Sequence, residues 1–192
     1  MLIALILSSG FSCLAQYRPA VAGLKTGDSL VGIIGDVQRK VFKYKTQSNG
    51  KSIKLDFEKL NYVKIMFDSD DIRTYRFFRL EDDKDYKAFQ QLAKGKNAEL
   101  YGVTRVVRSS GFAGPAMDMN AIQYYIKKPT EKNLTLLGLY DPLINNLKNK
   151  VLAYFADCKE LIQKIENKDF RMRNGLTPMV EFYNSNCNSS QL

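Results

Sequence analysis

At 192 residues the chain has room for one ordinary domain. With 45% hydrophobic and 26% charged residues it is neither a disordered chain nor a multi-span membrane protein. Histidine is absent, which removes Ser-His-Asp and Cys-His nucleophile systems, His-ligated zinc and the commonest general base. The net charge of +9 is uneven: residues 141–192 hold seven Lys/Arg and six Asp/Glu, so +8 lies upstream. Such a surplus either sits dispersed on the surface or favours polyanions: nucleic acid, anionic lipid headgroups or acidic polysaccharide.

Residues 1–16 carry no charged side chain. The apolar run Leu2 to Leu7 is too short to span a bilayer, and Cys13 and Ala15 precede Gln16 in a small-x-small pattern. The segment reads as an export signal, although no Lys or Arg stands ahead of the apolar run. Cys13 offers an alternative as a lipidated first residue, with Gly10-Phe11-Ser12 departing from the usual Leu-Ala-Gly type. Export leaves two cysteines in the mature chain, Cys158 and Cys187. An even number in an exported protein predicts a disulfide, with two free buried thiols as the alternative.

The β part follows in order. Residues 21–34 read as two short strands around Thr26-Gly27-Asp28, with Gly27 at positive φ. Phe42, Tyr44 and Thr46 alternate into an Asn49-Gly50 turn, and Ile53, Leu55 and Phe57 alternate out of it. Residues 62–67 and 72–80 are two further strands. Tyr86, Phe89, Leu92 and Ala93 recur at helical spacing, which predicts a short helix capped by Gly95. Residues 98–107, 121–128 and 133–139 complete the strands.

From Asp141-Pro142, an N-cap followed by proline, the pattern becomes helical. Leu143, Leu147, Val151, Tyr154 and Phe155 form an apolar stripe. Asp157 and Glu160 resemble a capping box for a second helix bearing Leu161, Ile162 and Ile165. A third helix carries Leu176, Met179, Val180 and Tyr183, its start made uncertain by Gly175 and Pro178. The expected fold is therefore α+β: an antiparallel β-meander or small open barrel over 17–140, with one short helix, then a C-terminal bundle of about three short helices over 141–187 packed on it. Residues 188–192 read as a disordered tail.

The combination of an export signal, Thr26-Gly27-Asp28-Ser29-Leu30-Val31-Gly32, the spaced residues Phe89, Leu92, Gly95, Lys96, Leu100 and Tyr101, Asp157-Cys158, and the close Val180, Tyr183, Asn184, Cys187 resembles the exported β-rich proteins of unknown function common in Bacteroidota. The resemblance implies an envelope location, periplasmic or outer-membrane-associated. It brings no catalytic residues.

No phosphate-cradling glycine loop is visible, and no cofactor, metal site or catalytic residue is expected. The acidic runs 68–71 and 81–85 could offer oxygen ligands to calcium, but they lack the glycine and distal glutamate of an EF-hand and read as solvated turns. Arg73, Tyr75, Arg76 and Arg79 interleave cations with aromatics, as single-strand nucleic-acid binders do, which suggests a polyanion face. Export argues against an intracellular RNA partner, and half-buried strands with Arg stems lying over apolar surface account for the same pattern. The stretch 109–121 reads as a long Gly/Pro/Ser loop bearing Phe112, Met117 and Met119, a candidate docking loop for a protein partner. The sequence thus points to a non-enzymatic exported binding or adaptor module. Its alternative is a polyanion binder acting through the basic-aromatic strands.

Overall fold

The computed structural model describes residues 17–81, 83–109, 117–141 and 146–187. The expected export signal, Phe112, Pro142, Leu143 and the tail 188–192 lie outside them. Ten strands form one antiparallel sheet: β1 (Arg18–Leu24), β2 (Ser29–Val37), β3 (Val41–Lys45), β4 (Ile53–Asp56), β5 (Leu60–Met66), β6 (Ile72–Phe78), β7 (Lys87–Ala93), β8 (Glu99–Ser109), β9 (Met117–Lys127) and β10 (Thr135–Leu139). Three helices follow: α1 (Asn146–Tyr154), α2 (Lys159–Glu166) and α3 (Thr177–Asn186). The class is α+β.

The spatial order, β10-β9-β8-β7-β6-β5-β1-β2-β3-β4, departs from a pure meander at one point. After β4 the chain returns to lay β5 against the far side of β1. A single 3-10 turn, Phe57–Lys59, makes that crossing. In a flat sheet β4 and β5 would stand four strand spacings apart, roughly 19 Å at about 4.8 Å each. Four residues span at most about 14 Å. The short connection therefore forces this half of the sheet to curl, and the sheet stays open.

Inside the curl lies one core: Ala20, Ala22, Ile33, Phe42, Phe57, Leu60, Val63, Ile65 and Phe77. Phe57, carried in by the crossing turn, stacks on Phe77 with ring centroids 4.6 Å apart. A second core lies between β7–β10 and the helices, where Leu100, Tyr124, Ile126 and Leu137 meet Leu147, Val151, Phe155, Leu161, Ile165, Met179, Val180 and Tyr183. On the opposite face Phe89, Tyr101 and Tyr125 bury one another.

The expected helix over 86–93 is strand β7 instead. It pairs with β6 from Tyr75↔Gln90 to Phe78↔Lys87, and with β8 on its other side. Both of its faces are covered, Ala88 packing on the curled core and Phe89 on the aromatic cluster, so no polar face exposed the two-residue period. A register shift between Gln91 and Ala93 displaced the remaining apolar residues into apparent helical spacing. Gly95 caps no helix. A Cβ there would overlap the Asn184 carboxamide of α3.

Other expectations changed in detail. Strands β3 and β4 pair as read, Phe42 opposite Leu55 and Tyr44 opposite Ile53, but seven residues connect them. The turn bond runs from Gly50 N–H to Gln47 C=O at 2.9 Å, and neither Asn49 nor Gly50 adopts a positive φ. Gly27 does, at 99°. Pro178 falls in the first turn of α3, where its missing N–H costs nothing.

Cys158 and Cys187 form the disulfide, with Cα atoms 5.7 Å apart. It ties the start of α2 to the end of α3 across 29 residues. In the chain-entropy model such a loop contributes about 3–4 kcal/mol. Replacing both cysteines by serine is expected to lower unfolding stability by that amount in a urea titration. Mass spectrometry of alkylated native protein should show neither cysteine labelled before reduction.

Candidate functional site

Three groups of residues could carry chemistry or binding: a Lys/Asp/Tyr cluster under the helices, the acidic turns with the basic strand between them, and the β8–β9 hairpin. In the first, Lys128 stands just past the end of β9. Its Nζ lies 2.7 Å from Asp157 Oδ2, which also accepts a hydrogen bond from Tyr183 Oη at 2.7 Å. The ammonium sits over the rings of Tyr154 and Tyr183, at 5.1 and 5.3 Å. Tyr154 donates to Glu131 Oε2 at 2.7 Å, and Glu131 accepts the Lys128 backbone N–H at 2.9 Å.

The protonation states follow from this geometry. Burial pushes the Asp157 carboxyl up, but hydrogen bonds from Lys128 and Tyr183 together hold it below its ordinary range. Burial likewise pulls Lys128 down, and Asp157 and Tyr183 more than restore it, so its ammonium is held above the usual range. Tyr183 and Tyr154 are raised, first by burial and then by the neighbouring carboxylates. Near pH 7 Asp157 and Lys128 therefore stay charged and Tyr154 and Tyr183 stay protonated. A general base or nucleophile needs a pKa near the working pH, and these shifts run the other way. The cluster is a clamp between β9, α1, α2 and α3. Asp157 is therefore no helix cap: α2 starts at Cys158 without a side-chain capping bond.

The second group disperses. Asp71 binds Arg73 through both oxygens, at 2.7 to 3.1 Å, and that guanidinium holds its carboxyl below the usual range. Asp83 pairs with Lys87 and Asp85 with Lys40. Among the described residues no cluster of three potential ligands could hold a metal. Arg73 covers Phe67 from one side while Arg18 also stacks on that ring, at 4.1 and 4.6 Å. Arg73 and Tyr75 share the inner face of β6. Arg76 points from the opposite face, donates to Asn61 Oδ1 at 2.9 Å and lies over Tyr62. Arg79 is exposed beyond the end of the strand.

The third group is a correction as well as a candidate. The stretch 109–121 is not all loop: β9 begins at Met117, opposite Ser109, so Met119 belongs to a strand. Registered pairs of β7 with β8 end at Gly102, and those of β10 with β9 end at Gln123. Beyond these points β8 and β9 continue together, Thr104 opposite Ile122 through to Ser109 opposite Met117. This two-stranded ribbon exposes Val106 at 69%, Met119 at 55% and Ile122. Val106 was missed in the sequence because its neighbours, Arg105 and Arg108, made the run look like an ordinary alternating strand.

Gly95, Asn97, Asn184 and Cys187 converge on a joint. Asn184 Oδ1 accepts the backbone N–H groups of Asn97 and Ala98 at 2.9 and 2.8 Å, while its Nδ2 donates to Ala98 C=O at 2.9 Å. Asn97 Nδ2 donates to Cys187 C=O at 2.6 Å. Gly95 permits the approach. The motif is structural, joining α3 to the β7–β8 turn. No protein-family model, curated protein or solved structure matches this chain.

Two measurements test these assignments. Asn184→Ala leaves buried groups of Asn97 and Ala98 unpaired and is expected to cost about 3 kcal/mol in chemical unfolding, at about 1 kcal/mol or more per lost bond. The Asp157 contribution is full above its unfolded pKa of about 4 and is lost as pH falls through its lowered folded value. That of Lys128 is full below about 10 and is lost as pH rises through its raised folded value. Melting temperature should therefore fall on both sides of a neutral plateau, and Asp157→Asn should flatten the acid limb.

Proposed function

We propose that this is a non-enzymatic exported binding module whose protein partner docks on the β8–β9 ribbon. One observation carries the reading. Val106 and Ile122 are exposed on one face, and Met119 on the other, of strands that run past their neighbours. Scattered single apolar residues are ordinary, but exposed apolar residues on both faces of a projecting ribbon suit an interface. The absence of histidine and the ordinary charge states of the Lys128 cluster favour binding over catalysis.

The disulfide fits export, and among the described residues no helix is long and apolar enough to cross a membrane. An envelope location, whether periplasmic or at the outer membrane, is the setting that the resemblance to exported Bacteroidota proteins suggests.

Cross-linking in the native cells, at low and high salt, tests the reading. A single protein partner should be recovered at both salts. Replacing Val106 and Met119 together by serine should weaken its capture at least tenfold with the melting temperature unchanged, since few interface residues carry most of the energy. Undiminished capture by that variant would remove the ribbon as the docking site.

A further inference from the structure

The outer face of the β3–β4 pair carries a charge arrangement that the fold does not explain. Phe42 is buried in the curled core, with Tyr44 and Leu55 packed against it. The alternate residues, Lys43 and Lys45 of β3 and Lys54 of β4, therefore point outward together. Lys43 and Lys54 stand directly opposite each other. That pairing sets their Cβ atoms about 5 Å apart, and Lys45 follows Lys43 about 7 Å along the strand. Lys51 lies in the connection between the two strands. Residues 41–56 thus hold four lysines against one acid, Asp56.

Sheet stability does not call for this arrangement. Like charges directly opposite each other destabilise a strand pair. Among the described residues none of Lys43, Lys45, Lys51 and Lys54 has a carboxylate within ion-pair distance. Asp36 of β2 stands opposite Lys43 but accepts a hydrogen bond from Gln38 Nε2 at 3.2 Å, and Asp56 stands opposite Val41. Edge strands carry lysine against edge-to-edge pairing, which accounts for Lys54, since β4 ends the sheet. That reason does not reach Lys43 and Lys45, because β3 is paired on both sides.

We propose that this hairpin face binds a linear acidic polysaccharide. Lysine ammonium groups act as point charges on flexible stems, suited to a chain of spaced carboxylates or sulfates. Other polyanions fit the face less well. Single-stranded nucleic acid is held by bases stacked on aromatic side chains. Here Phe42 and Tyr44 turn inward, and the neighbouring Tyr17 ring already has the Lys45 ammonium over it at 4.9 Å and its hydroxyl hydrogen-bonded to Ser52 at 2.7 Å. A bilayer surface calls for a broad face with apolar residues among the cations, and these lysines occupy a single hairpin of a curled sheet. The basic-aromatic strand β6 is not the place either, since Arg73 is taken up by Asp71 and Arg76 by Asn61. The hairpin lies at the far end of the strand order from β8 and β9, so this proposal stands independently of the protein-docking reading.

The test is titration of the full chain with polygalacturonate, against neutral dextran and against oligothymidine. Polygalacturonate should bind, dextran should not, and the affinity should fall steeply between about 0.05 M and 0.2 M salt. Each of Lys43→Gln, Lys45→Gln and Lys54→Gln should weaken binding about two- to fivefold. Lys150→Gln, an exposed position on α1 that removes the same charge, should leave it unchanged. Lys54→Gln should also raise the melting temperature by about 1–3 °C, because it removes the like-charge pair. Weaker binding by a more stable protein cannot come from lost structure. A melting temperature that falls together with the affinity would make the lysines structural and overturn the proposal. So would affinity that ignores the three hairpin changes or falls as much in Lys150→Gln, or failure to bind polygalacturonate at the lower salt. Tighter binding of oligothymidine than of polygalacturonate would overturn the polysaccharide as ligand.

Discussion

Asn184 stands where the two layers of the molecule meet. Its carboxamide satisfies three buried backbone groups of the β7–β8 turn, and it fits because position 95 has no Cβ. One turn further along α3, the carbonyl of Cys187 receives the Asn97 side chain, and its sulfur is bonded to Cys158 at the start of α2. At the position just before Asn184, Tyr183 reaches Asp157 and through it Lys128 at the end of β9. Hydrogen bonds, a covalent bond and an ion pair thus fix one short helix at three points. That fixing matters because α1, α2 and α3 are each ten residues or fewer, too short to hold in water without tertiary packing. Once docked, they cover Leu100, Ile126 and Leu137, which would otherwise leave the sheet with a bare apolar face.

Short polar bridges of this sort draw titratable groups together without making them reactive. Lys128, Asp157, Tyr154, Tyr183 and Glu131 would pass for an active-site constellation by residue type alone. Their geometry says otherwise, since Lys128 meets Asp157 and each phenol donates to a carboxylate. Reactivity requires a group held away from its preferred protonation state, and here Lys128, Asp157, Tyr154 and Tyr183 are each held more firmly in it.

Local patterns made much of this fold legible. The β3–β4 pair, β5, β6, β8, β9 and the two helices after residue 158 follow from alternation, turn residues and 3.6-residue spacing. What escaped were features fixed at long range. Strand β7 is covered on both faces, so nothing in its own sequence announced an inside and an outside. The return of β5 to β1 depends on the curl, and a curl belongs to five strands together. Asp157 looked like a cap because caps are local, whereas its partners lie 26 and 29 residues away. The cysteines and the Val180, Tyr183, Asn184 motif were visible as a signature, but only the structure turned the signature into a joint.

The candidate surfaces divide along the same line. Arg73 and Tyr75 stood out in the sequence because cations and aromatics were adjacent, and the fold turns Arg73 toward Asp71 and Phe67. Lys43 and Lys54 come from β3 and β4, and only strand pairing sets them side by side. Charge surplus measured along a chain says that a polyanion could be attracted. The registry of the sheet decides which charges stand together and which apolar atoms lie beside them.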